Sequence, residues 1–198
     1  VLLFNYRGVG ASEGTPTRDG LLVDLYTVIK YAIDEVNGLG IKPSNVIVCG
    51  RSLGGAISTV LLSKIFPEYP NIILCNTRSF STLKAAACKL LGQIHGDRVG
   101  NGAAVGIKLL GWELNSLKGW NTLNDETNGY RWIESVGDDE ILLPGAKLVD
   151  HLIHNEHRII HLDLGGVSGH NRALTSSEYM KRSKYIREGL AWNKEKVL

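Results

Sequence analysis

A serine hydroxyl is a poor nucleophile until its backbone lifts it clear of the fold and a base takes its proton during attack. Gly50-Arg51-Ser52-Leu53-Gly54 has the G-x-S-x-G spacing that meets the first need, because a serine on a sharp strand-to-helix turn requires small neighbours. By itself the spacing says little. At this glycine content chance supplies roughly 0.2 such matches in a chain this long, and Gly10-Ala11-Ser12-Glu13-Gly14 is a second one. Context separates them. Val46-Ile47-Val48-Cys49 is a short β-branched run ending directly at Gly50, and the composition from Gly54 to Phe66 is helical until Pro67, so Ser52 has a strand before it and a helix after it. Ser12 lies beyond the Arg7-Gly8 break and is followed by Gly14-Thr15-Pro16, so no helix begins there and it reads as a loop serine.

A hydrolytic serine also needs an imidazole as base and a carboxylate to hold the correct tautomer. These partners are expected in the chain order serine, acid, histidine, each just past a strand. Gly137-Asp138-Asp139-Glu140-Ile141 follows the strand-like Arg131 to Ser135, and Gly165-Gly166-Val167-Ser168-Gly169-His170-Asn171 follows Arg158 to Leu162. Ser52, Asp139 and His170 are therefore the expected catalytic set, with Asp138 kept as the alternative acid. His151, His154, His157 and His161 fall within a helix or strand and read as packing or surface histidines, and His95 at most lines a pocket. The histidines and acids are not read as a metal-ligand set, and no metal or cofactor is expected.

The elements that must position these residues follow from the apolar pattern. Val1 to Tyr6, Val46 to Cys49, Ile72 to Cys75, Arg131 to Ser135 and Arg158 to Leu162 read as five strands. Leu21, Leu22, Leu25, Val28, Ile29, Ala32, Ile33 and Val36 recur at helical spacing up to Gly38. Further helices are expected at Gly145 to His154 and from about Ser177 to Trp192. Continuously apolar strands separated by helices predict an α/β fold, with a mostly parallel sheet covered by helices on both faces. Between Asn76 and Tyr130 the connection is long for one crossover. Ser81 to Gln93 and Ala103 to Leu117 are expected helices joined by the Gly-rich His95 to Gly102, forming a small cap at about residues 84–125.

The whole chain of 198 residues is 43% hydrophobic and 21% charged, with 22 Lys and Arg against 20 Asp and Glu for a net charge of +2. Its length suffices to bury roughly 70% of the unfolded surface without disulfides or a structural metal. The near-neutral balance argues against a nucleic-acid binder, and no apolar run reaches the ~18 to 20 residues of a membrane span. Cys49, Cys75 and Cys88 have no CxxC spacing and read as free thiols of a reducing compartment, which favours the cytoplasm.

Taken together, these motifs resemble the α/β-hydrolase superfamily. Val1 to Gly14, with its Arg-Gly-x-Gly-x-Ser loop, is similar to that family's fourth-strand signature. Cys49 to Gly55 is similar to its elbow, and Asp139-Glu140-Ile141 and Gly169-His170-Asn171 to its acid and histidine loops. Asn76-Thr77-Arg78-Ser79-Phe80-Ser81 resembles a segment after the sixth strand in bacterial members, including a chlamydial hydrolase-like family. The resemblance implies a serine hydrolase acting on an ester, thioester or amide, with the Leu53 N–H as one of two oxyanion donors. It also places the start of the chain, Val1, at an internal strand, so that residues 1–198 are expected to be a partial domain lacking the second donor. Alone they are expected to be a poor catalyst. The acid loop departs from the family pattern by one extra residue before Pro144.

Other readings carry less. Gly8, Gly10 and Gly14 miss the dinucleotide-binding register, with Glu13 where the third glycine belongs. A non-catalytic hydrolase-like scaffold that binds a partner is the main alternative. Lys181, Arg182, Lys184, Arg187, Lys194 and Lys196 make the C-terminal helix basic; a solvated face is the default and peripheral contact with anionic lipid the alternative. Trp112 and Trp120, eight apart on the expected cap helix, would share a face that packs in the core or meets an apolar acyl group.

Overall fold

The apolar runs assemble as a sheet because adjacent residues on each strand face opposite sides and both sides are covered. The computed structural model describes residues 1–123, 129–153, 157–162 and 169–196. Strands β1 (Ile47–Arg51), β2 (Ile73–Thr77), β3 (Arg131–Val136) and β4 (Ile159–Leu162) pair in that order, all parallel. The register sets Arg51 against Thr77, Thr77 against Glu134 and Val136 against Leu162, so the loops leaving all four strands open on one edge. On one face Val48, Leu74 and Ile133 pack under α1 (Arg18–Ile33) and α2 (Leu53–Ile65), through Leu25, Ile29, Ile57 and Leu61. On the other, Ile73, Trp132 and Ile160 pack under Tyr185, Ile186 and Leu190 of α6 (Ser176–Lys196). Two-sided burial is why these strands read as continuous apolar runs.

Several sequence expectations shift. Val1 to Tyr6 is not a strand: it pairs with no described residue, and Val1 and Leu3 are exposed. An apolar run becomes a strand only when a neighbour accepts its backbone hydrogen bonds. Here only Phe4 and Tyr6 reach the core, stacked edge-on at 4.7 Å. The segment Gly145 to His154 forms only a 3₁₀ turn at Val149–His151; His154 lies outside the described residues. The connection between β2 and β3 carries three helices, α3 (Leu83–His95), α4 (Asp97–Leu109) and α5 (Ser116–Thr122). Helix α4 begins inside the segment expected to be a Gly-rich joint, and the reason is packing. A Cβ on Gly100 would stand 2.3 Å from the Cys88 carbonyl oxygen and 2.9 Å from Gly92 Cα, so these glycines let α3 and α4 approach closely rather than break them. Trp112 consequently sits in the α4–α5 loop and Trp120 in α5, fully buried with the Arg131 guanidinium over its ring at 4.8 Å. They do not share a helix face.

Helix α6 is anchored by charge as well as by apolar contact. Glu134, completely buried, accepts from Arg182 Nε at 2.6 Å, from Arg182 Nη2 and from Trp132 Nε1 at 3.2 Å. Arg182 is thus turned to the sheet, while Lys184 stays exposed and pairs with Glu188 at 3.6 Å. No helix among the described residues is long and apolar enough to cross a membrane.

Burial pushes the Glu134 carboxyl up, but the Arg182 hydrogen bonds and charge outweigh it and hold its pKa below the usual value. A depressed carboxylate pKa stabilises the fold above the unfolded-state value of about 4.3 and loses that contribution as pH falls through the folded value. The margin of wild type over Glu134→Gln, read from urea unfolding midpoints, is therefore expected to be largest near neutrality and to shrink below about pH 4.5. A margin independent of pH would contradict the assignment.

Candidate active site

The elbow is built by close approach. β1 runs into Ser52, whose φ of 53° and ψ of −118° lie where L-residues are strained, and α2 starts at the next residue. The turn is held because Ser52 N donates to Thr77 O at 3.0 Å. A Cβ on Gly50 would stand 2.3 Å from Gly54 O and 2.5 Å from Ser58 Oγ, and one on Gly55 would stand 2.8 Å from Ser79 Cβ. Gly54, the second motif glycine, would meet nothing within 4 Å, so sterics demand Gly50 and Gly55 instead. Gly50→Ala is expected to destabilise the fold by about 1–3 kcal/mol, the usual cost of overpacking, seen as a lowered urea midpoint. Leu53 is the first residue of α2, where backbone N–H groups have no intrahelical acceptor and the helix dipole is positive; both suit an oxyanion.

Ser12 sits in a turn-rich loop, its Oγ donating to Asn5 O at 3.1 Å. It has neither strand nor helix beside it.

At the ends of β3 and beyond β4, Asp139 and His170 meet. His170 Nδ1 lies 3.0 and 2.9 Å from the two Asp139 carboxylate oxygens, with both side chains almost fully buried. Asp139 Oδ1 also accepts from the main-chain N–H of Ile141 at 3.0 Å and of Leu142 at 2.7 Å, which fixes the carboxylate plane. Asp138 is exposed and makes no hydrogen bond to His170. With Nδ1 taken by the carboxylate, Nε2 is the ring nitrogen left for chemistry. Ser52 and His170 are not hydrogen-bonded to each other, but His170 O accepts from Nη2 of Arg51, the residue before Ser52, at 2.8 Å.

Among the other histidines, His151 Nε2 lies 3.1 Å from Gly145 O, His157 stacks edge-on with Trp120 at 6.0 Å, His161 is on β4 and His95 ends α3. His157 and His161 are four apart, a ligand spacing on a helix but not here, where His161 lies on a strand. No group of three or more His, Cys, Asp and Glu among the described residues could hold a metal ion.

Two cations behind the loops were not read as functional. Lys147, buried, donates to the Val136 and Gly137 carbonyls at the start of the acid loop. Arg78, buried, donates from Nη1 to His170 O at 2.8 Å and to Arg172 O at 2.7 Å. Arg78 lies in the segment after β2 that carries the family resemblance, but its acceptors are 92 and 94 residues away and those of Lys147 10 and 11, so the sequence pattern does not show what either side chain holds.

Comparison with known proteins agrees with the fold. The Arabidopsis thaliana alpha/beta hydrolase domain-containing protein WAV2 is 34% identical over 125 residues, 63% of this chain and 38% of WAV2. Schizosaccharomyces pombe protein bem46 is 32% identical over 84 residues, 42% of this chain and 26% of bem46. A multifunctional-autoprocessing repeats-in-toxin of Vibrio cholerae is 44% identical over 61 residues, 31% of this chain and 1% of the toxin. The chain thus spans well under half the length of these relatives. A family model described as Chlamydia CHLPS protein (DUF818) matches residues 1–126, which include the Ser52 elbow and stop before Asp139 and His170. By that match over more than half its length, this α/β chain, similar to the hydrolase-domain protein WAV2, belongs to the Chlamydia CHLPS protein (DUF818) family.

Proposed function

We propose that this chain carries the catalytic edge of a serine hydrolase that cleaves an ester, thioester or amide through an acyl-enzyme on Ser52. The observation that carries the reading is the buried Asp139–His170 pair, at 2.9 Å, on the sheet edge that also presents Ser52 at positive φ. Ser52 Oγ attacks the substrate carbonyl carbon while His170 Nε2 takes the hydroxyl proton, and Asp139 stabilises the imidazolium. The oxygen that becomes negative is met by the Leu53 N–H. The tetrahedral adduct collapses, the C–O, C–S or C–N bond breaks, and the leaving group takes the proton from His170. Water, deprotonated by the same imidazole, then releases the acid and regenerates Ser52. The cap region proposed at about residues 84–125 rests on α3 and α4, α3 placing Lys89 beside Gly145 after the acid loop, because α5 packs along α2 with Gly119 against Thr59 O.

The experiment is covalent labelling of the full-length protein with a fluorophosphonate, which phosphonylates an activated serine with loss of fluoride. The expected result is a single adduct on the Ser52 peptide together with turnover of a short-chain p-nitrophenyl ester. A non-catalytic role, with the edge serving to bind a partner, draws on the missing Ser52–His170 hydrogen bond, although such bonds are often long in the absence of substrate. Absence of both label and turnover would select that role.

A further inference from the structure

We propose that Arg78 is a positioning residue that ties the histidine loop to the strands of the sheet. The proposal rests on the reading of His170 as the base. Arg78 stands just past the end of β2 with a φ of 50°, and its own N–H donates to Glu134 O on β3 at 2.7 Å. Its main chain is therefore locked to two central strands in a conformation that a long side chain rarely adopts. From there the side chain reaches the carbonyls of His170 and Arg172, the residues on either side of Asn171. Holding two carbonyls that flank one residue fixes both peptide planes there, and with them the direction in which the His170 ring leaves the backbone.

The chemistry of the clamp is unusual. Arg78 is only 5% exposed, yet among the described residues its guanidinium bonds main-chain carbonyls and forms no ion pair with a carboxylate. Burial, then the charges of Arg51 and Arg172, act against its protonated form. A buried cation without a counter-ion is costly, and an apolar side chain could fill the same volume. What an apolar side chain lacks is a donor: Nη1 alone holds both carbonyls, at the end of a side chain long enough to reach them from β2. Arg51 completes the arrangement: its Nη2 donates to the same His170 carbonyl and to Asn171 Oδ1. One carbonyl oxygen is thus shared by guanidiniums from the strand that carries Ser52 and from the strand beside it, which references the base to the nucleophile.

The test compares wild type, Arg78→Met, Arg78→Lys and a core variant outside the site, Ile29→Ala, by two measurements. In folded Arg78→Met the rate of fluorophosphonate labelling and the kcat for a p-nitrophenyl ester are expected to fall about 10- to 100-fold, with KM within about threefold, as for misplacement of a catalytic group by roughly 1 Å. Hydrogen exchange of amides 169–173 should rise at least about 10-fold, because the loop loses its tie to the sheet. Ile29→Ala should lower the melting temperature without either effect. Wild-type exchange and wild-type labelling in Arg78→Met would overturn the proposal. If Arg78→Met does not fold, Arg78→Lys carries the test: both bonds leave one nitrogen, Nη1, and the lysine side chain, one bond shorter, cannot bring its ammonium to the same point, so smaller losses of the same kind are expected and wild-type values would overturn it. If wild type takes no label while the Arg78 variants still loosen residues 169–173, the hydrolase reading fails and the clamp stands.

Discussion

Ser52→Ala is expected to lower turnover of a short-chain ester by about 10⁶-fold, the size seen when a triad serine is removed from a serine hydrolase. It should also abolish the fluorophosphonate adduct. The effect is this large because no other group can form the acyl-enzyme, and the remaining rate comes only from substrate binding and oxyanion stabilisation. The fold should survive, since the half-buried hydroxyl makes no cap hydrogen bond to α2 and the strained turn is held by backbone, through Ser52 N to Thr77 O at 3.0 Å. Ser12→Ala is the paired control: it removes one loop hydrogen bond to Asn5 O and should leave both readouts unchanged. Undiminished turnover in Ser52→Ala would sink the mechanism outright.

Asp139→Asn carries the second-largest effect, a fall in kcat of about 10⁴-fold, as for the equivalent change in a Ser-His-Asp triad. The geometry supplies the reason. The N–H groups of Ile141 and Leu142 both donate to Oδ1, so an amide at this position would keep its oxygen toward them and turn its NH₂ toward His170. An NH₂ facing Nδ1 makes that nitrogen the acceptor and moves the ring proton to Nε2, which can then no longer take the proton of Ser52. Because the oxygen keeps its backbone partners, stability should change little. Asp138→Asn alters an exposed side chain and should leave kcat within about threefold, the scale of an ordinary surface change. Rate loss in Asp138→Asn but not in Asp139→Asn would reassign the acid.

The acid illustrates how far local reading reaches. The motif order placed an acid loop after one strand and a histidine loop after another, and favoured Asp139 with Asp138 kept as the alternative. Adjacent residues in a turn point in different directions, and which one faces His170 depends on how a loop 31 residues away in sequence is seated. The glycines make the same point in reverse. The motif spacing treats Gly50 and Gly54 alike, but only Gly50 is pressed by its surroundings, together with Gly55. Gly100 reads as part of a breaker segment and in the structure is the contact that lets two helices pack.

What the sequence determined by itself was whatever a short window encodes. Continuous β-branched runs give two-sided parallel strands, apolar residues at helical spacing give α1, and a serine between a strand and a helix gives the elbow. Each of these depends on neighbours within a turn or two, so the pattern and the structure share one cause. Only the tertiary structure decided the partners that meet across the chain: Asp139 rather than Asp138 at His170, Glu134 with Arg182 under α6, and Arg78 with Lys147 behind the two loops. Val1 to Tyr6 belongs with them. Its apolar run satisfies the local rule for a strand, but a strand needs a neighbour to take its hydrogen bonds, and that is a property of the fold and not of the segment.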